Sequence, residues 1–129
     1  MTLPHTDDRA RAGVLPLVAP ILASSAYVLE IALVPLLLPA LKAAAELSVT
    51  ELTLVVNVYA VTVTLGVLFG GALGDRIGAL RTFLMGTTIF VGGSLVTALS
   101  GDLGPILAGR AVQGLGGGLF AVSTLIAAM

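Results

Sequence analysis

The sequence has no cysteine, only one histidine and very little charge. Without cysteine there is no disulfide framework and no thiolate metal site. His5 lies near the N-terminus, away from everything else that could do chemistry, which argues against a histidine-centred active site. Charged residues make up 10% of the chain, the net charge is −1, and no basic block is present, so nucleic acid is excluded as a partner. What remains is apolar. Hydrophobic residues account for 57% and the mean hydropathy is +1.12, far outside the range of soluble domains. A lipid bilayer is the solvent this composition suits.

Two uncharged runs, Leu52 to Gly74 and Thr82 to Gly101, flank a short charged stretch, Gly71-Ala-Leu73-Gly-Asp75-Arg76-Ile-Gly78-Ala-Leu-Arg81. About 20 helical residues at roughly 1.5 Å each cross the ~30 Å hydrocarbon core, so each run suffices for one span. The short connection predicts a tight hairpin with its charges at one membrane face. Residues 1–13 read as a polar tail, and an apolar run from Ala12 to Leu41 is broken only by Glu30. A cleaved signal peptide competes for this first run, but the run is too long for a signal core and further spans follow. Pro16 and Pro20 fall near its helix start, and Pro35 and Pro39 are expected to bend and end it. Residues 40–51 read as an extramembrane loop, with Ser48 or Thr50 capping the next helix. Pro105 suits the start of a fourth span. Spans are thus predicted at about 14–39, 51–74, 80–100 and 105–129. The last is still apolar at Met129, which reads as a truncated sequence.

Four of the six basic residues, Arg9, Arg11, Arg76 and Arg81, fall on one side under this topology. The positive-inside rule then places the N-terminus and the Gly71–Arg81 turn in the cytoplasm. Three polar residues fall at similar depth in the opposite half. Glu30 is about nine residues before Pro39, Gln113 is about eight after Pro105, and Asn57 is about six into span two. Arg110 is slightly nearer the surface but long enough to reach inward. A charge at such depth costs about 2.5–3.5 kcal/mol on insertion scales, so it faces a cavity or a partner. A functional pathway and one structural Glu–Arg pair, or Arg110 snorkelling outward, remain open on this count. Tyr27, one turn before Glu30, is a candidate stacking wall for a cationic ligand, with plain packing as the alternative. Gly66, Gly70 and Gly74 recur every four residues, as do Gly114 and Gly118, a spacing that lets membrane helices approach closely. No strand precedes Gly114-x-Gly116-Gly-Gly118, so a dinucleotide site is dismissed.

The pattern Gly71-x-Leu73-Gly-Asp75-Arg76-x-Gly78 resembles the loop between helices 2 and 3 of the major facilitator superfamily of transporters. Arg110-x-x-Gln113-Gly114-x-Gly116 resembles that family's fourth-helix motif, which is associated with proton coupling. Leu29-Glu30 followed by Leu38-Pro39 is similar to the first-helix motif of its 14-helix drug–proton antiporters, although Ala32 and Pro35 depart from it. Asn57-Val-Tyr59 resembles their second helix. The resemblance implies an all-α membrane protein of four transmembrane helices, forming the first part of that fold over residues 14–129. It also implies a multi-pass cell-membrane protein and not an enzyme. Its function would be efflux of a small-molecule drug or metabolite, coupled to protons and needing no cofactor. The partners would be the bilayer, a substrate and the missing C-terminal helices, without which the segment is expected to be inactive. In the family, Asp75 and Arg76 would form a cytoplasmic latch, weakened here because Ala79 and Leu80 replace the usual basic pair, with Arg81 left downstream. Glu30 would carry the proton or meet a cationic substrate. Desolvation opposes its ionisation and Arg110 favours it, a balance that Gln113 would tune. Two rivals are a four-helix multidrug transporter acting as a dimer and a non-transporting membrane interaction protein.

Overall fold

A computed structural model of the chain describes the backbone of residues 6–128, and the side chains of residues 18, 21–22, 24–25, 28–36 and 38–127. Every element in it is a helix: α1 (Thr6–Ala45), α2 (Val49–Ile77), α3 (Ala79–Leu99) and α4 (Leu103–Ala128). Helices α2, α3 and α4 are each long and apolar enough to cross a membrane. In α1 the segments Val28–Leu36 and Leu38–Ala45 meet at 52°, and together they would count as one further span. The molecule is an all-α membrane protein.

The bend lies between Pro35 and Pro39. Each proline removes a backbone donor and crowds the preceding turn, which kinks a helix. The helix nevertheless continues to Ala45 instead of ending at Pro39, and at the other end it includes Thr6–Gly13. The expected loop at 40–51 therefore shrinks to Glu46, Leu47 and Ser48.

Ser48 opens α2 with a capping box. Its backbone N–H donates to Glu51 Oε2 at 2.7 Å, and the Glu51 N–H donates to Ser48 Oγ at 3.3 Å. Two of the helix's otherwise unpaired N–H groups are satisfied in this way. Leu47, Leu52, Val55 and Ile106 form a small buried core just beside this cap. At the far end the connection is a single residue. Gly78 has φ +91°, a backbone that favours glycine, and its N–H donates to Gly74 O at 2.9 Å while its carbonyl accepts from Thr82. The charged stretch expected as a turn is thus helical up to Ile77 and again from Ala79.

Helix α4 is the axis. It packs along α2 on one flank and α3 on the other, α1 rests on it over a shorter patch, and α2 and α3 barely touch beyond their hairpin. Glycines make these contacts close. A methyl group added at Gly70 would come within 3.1 Å of Leu119 Cα, and one at Gly66 within 3.0 Å of Gly118 Cα. Across the α3–α4 contact, one at Gly86 would lie 2.6 Å from Phe120 N, and one at Gly116 would lie 2.6 Å from Gly86 O. Threonine and serine hydroxyls, including Thr62, Thr87, Thr97 and Ser123, donate to carbonyls one turn back. That satisfies them without water.

Candidate functional site

Arg110 and Gln113 are three residues apart on α4 and so share a face. Both are buried. Arg110 Nη1 donates to Gln113 Oε1 at 3.0 Å and to Glu30 Oε1 on α1 at 2.9 Å. Gln113 Nε2 donates to that same Glu30 oxygen. The three side chains close a triangle between α1 and α4, with side-chain exposures of 9% for Arg110 and 13% for Glu30. Two donors converge on one carboxylate oxygen, while Glu30 Oε2 has no hydrogen bond among the described residues. Among those residues this is the one ion pair.

A fourth residue belongs to the cluster. The ring of Tyr59, buried on α2, lies 4.2 Å from the Arg110 guanidinium carbon. Such a cation–π contact is worth about 2 kcal/mol or more when desolvated. Gly114 makes it possible, since a methyl group there would lie 2.7 Å from the Tyr59 carbonyl, so a larger residue would push α2 away. On the opposite flank, a methyl group at Gly93 of α3 would lie 2.7 Å from Gly109 O and 2.8 Å from Gln113 Cα. The turn of α4 that carries Arg110 and Gln113 is thus held from both sides by backbone contacts only glycine permits.

Of the residues singled out from sequence, Glu30, Arg110 and Gln113 are brought together. Asn57 is exposed on α2 and does not join them. It lies two residues from Tyr59, about 200° around the helix, so the two side chains leave opposite sides. The Tyr27 side chain lies outside the described residues. Tyr59 was not among the sequence candidates, although it stands in the Asn57-Val-Tyr59 segment. Depth counting finds its level but not its azimuth.

At the α2–α3 connection, Asp75, Arg76 and Arg81 are exposed, and Gly71 and Leu73 are half-buried. Asp75 joins no ion pair among the described residues. Gly66, Gly70, Gly74, Gly114 and Gly118 are all buried, the first three along the face of α2 that meets α4.

The family model described as Major Facilitator Superfamily matches residues 20–129. The chain is 34% identical over 97 residues to the methylenomycin A resistance protein of Bacillus subtilis, a match covering 75% of this chain and 21% of that protein. It is 30% identical over 87 residues to the riboflavin transporter RibZ of Clostridioides difficile, covering 67% and 19%. It is 33% identical over 87 residues to the tetracenomycin C resistance and export protein of Streptomyces glaucescens, covering 67% and 16%. The chain therefore spans about a fifth of the length of these curated relatives. No solved structure matches it. Apolar helices of membrane length, the glycine-packed bundle and the match over residues 20–129 lead to one conclusion: the chain belongs to the major facilitator superfamily.

Proposed function

We propose that this chain forms the N-terminal part of a proton-coupled exporter of small organic molecules, in which Glu30 carries the coupling proton. The observation that carries the reading is the shared Glu30 oxygen, held by Arg110 and Gln113 between two helices while its second oxygen has no hydrogen bond among the described residues. The names of the relatives, two resistance proteins and a riboflavin transporter, agree with small-molecule transport. The fold would sit in the cell membrane with four spans and a cytoplasmic N-terminus, in keeping with Arg9, Arg11, Arg76 and Arg81 falling on one side.

The physical link between proton and movement lies in the pair. While Glu30 is ionised, it compensates Arg110 and ties α1 to α4. When Glu30 takes a proton on Oε2, Arg110 is left as an uncompensated buried charge, a state that costs about 3–5 kcal/mol when one partner of such a pair is removed. The protein relieves that cost by admitting water or substrate beside Arg110, or by shifting α1 against α4. A proton thereby biases the equilibrium between two arrangements, which is what coupling requires. Asp75, Arg76 and Arg81 would face the cytoplasmic side of the second half of the protein, and the buried glycines would let α2 and α3 slide along α4.

The test uses the full-length protein in everted vesicles with an imposed pH gradient. Methylenomycin A, riboflavin and tetracenomycin C, the compounds in the relatives' names, serve as the probe panel. Glu30→Gln is expected to abolish gradient-driven accumulation while leaving passive exchange of a transported compound. Coupling that survives the substitution overturns the assignment.

A further inference from the structure

We infer that Tyr59 is a positioning residue for the Arg110–Glu30 pair, its ring holding the guanidinium where Nη1 can reach Glu30 and Gln113 together. The inference rests on the reading of Glu30 as the proton carrier and adds a control the hydrogen-bond triangle lacks. Arg110 has three rotatable bonds beyond Cβ and spans from one helix to another. Its Nε is buried and has no hydrogen-bond partner among the described residues, so no side-on contact there fixes its plane. Among the described residues, both of its hydrogen bonds leave from Nη1. A group held at one corner can pivot. What removes the pivot is the flat face of Tyr59, 4.2 Å from the guanidinium carbon.

The placement of that ring is itself determined by packing. Gly114 brings the Tyr59 backbone against α4, and the Tyr59 hydroxyl lies 3.6 Å from where a methyl group on Gly117 would stand. The ring therefore lies along α4 over the stretch from Arg110 to Gly117, and it is buried. Among the described residues the charged or titratable group on Glu30 is Arg110 from α4, with Tyr59 from α2 against that guanidinium, and α3 supplies none, its one ionisable residue being Arg81 in its first turn. With no other charge on it among the described residues, Glu30 holds its proton as firmly as the position of one guanidinium allows. A guanidinium free to swing away stabilises the carboxylate less, so the proton is released only at higher pH.

The test reads the proton directly and needs no transported compound. Purified full-length protein in lipid is titrated by infrared spectroscopy, following the protonated-carboxyl band that Glu30→Gln removes. Tyr59→Leu is expected to move the midpoint of that band by about half a unit to one unit toward alkaline pH, less than the full cation–π contact because only part of it is passed on to the carboxylate. Tyr59→Phe keeps the ring and is expected to titrate like the wild type. Tyr59→Met, flexible and non-aromatic, supplies the same comparison if the leucine variant does not fold. An unmoved midpoint in a folded Leu or Met variant overturns the inference, and so does a Phe variant that shifts as far as these, since the hydroxyl would then be responsible. If Glu30→Gln removes no band that titrates, the proton-carrier reading itself fails, which is a separate result.

Discussion

Helix α4 and its two neighbours invert the rule of soluble proteins. Of the three membrane-length helices α4 is the least apolar, yet 61% of its membrane-length stretch is buried, against 22% for α2 and 17% for α3. Leu68, Phe69, Leu84 and Leu99 point outward from α2 and α3, while Arg110, Gln113 and Ser123 are inside on α4. Lipid tails are as apolar as leucine, so burying leucine gains little, and what holds the bundle is close packing and satisfied polar groups. The helix with most glycine therefore becomes the centre, and the ion pair sits where it is best shielded.

The strongest way to break this contrast is to leave one buried charge alone. Arg110→Leu should destabilise the folded full-length protein by about 3–5 kcal/mol, read by thermal unfolding in detergent. The loss should grow as pH rises, because the abandoned Glu30 is costly only when ionised. Glu30→Leu combined with Arg110→Leu should recover most of it, since neither charge then remains.

Packing gives the next largest effect. Gly116→Val forces side-chain atoms against Gly86 O, which a methyl carbon would already approach to 2.6 Å, and is expected to cost about 1–3 kcal/mol or prevent assembly. Leu84→Val, on the exposed side of α3, should be nearly neutral in the same unfolding assay. Equal losses would mean that α4 is not the packing centre.

Ser48→Ala removes the α2 cap and should cost about 1 kcal/mol, seen as a lowered unfolding midpoint. The smallest effect carries the opposite sign. Gly92 meets nothing within 4 Å, so Gly92→Ala should stabilise by about 0.5–1 kcal/mol through backbone entropy alone. A loss there would place an unsuspected contact on the outer face of α3.

Some of this was readable from spacing. The rise of a helix is constant, so counting put Glu30, Gln113 and Asn57 at similar depth with Arg110 slightly nearer the surface, and of these the structure joins Glu30, Arg110 and Gln113. Ser48 or Thr50 was legible as the cap of α2, and the structure selects Ser48, with Glu51 closing the box. Gly66, Gly70 and Gly74 were legible as a ridge because a four-residue repeat returns to the same face. The second glycine contact was overlooked because it repeats at seven: Gly86 and Gly93 on α3 meet Gly109 and Gly116 on α4. Seven residues are nearly two full turns, so that spacing is as helical as four. Pro39 misled, because proline can kink a helix as well as end it, and here α1 bends by 52° and goes on to Ala45.

Composition and periodicity were enough for the solvent and the all-helical class, because these follow from hydrophobic length and a constant rise. They left open which way each side chain points and which helix lies at the centre. Asn57 and Tyr59 are two residues apart and equally plausible on paper, yet only Tyr59 meets Arg110. That choice depends on the rotation of α2 against α4, and rotation follows from where backbones can touch, at Gly66, Gly70, Gly114 and Gly118, once all the helices are packed together.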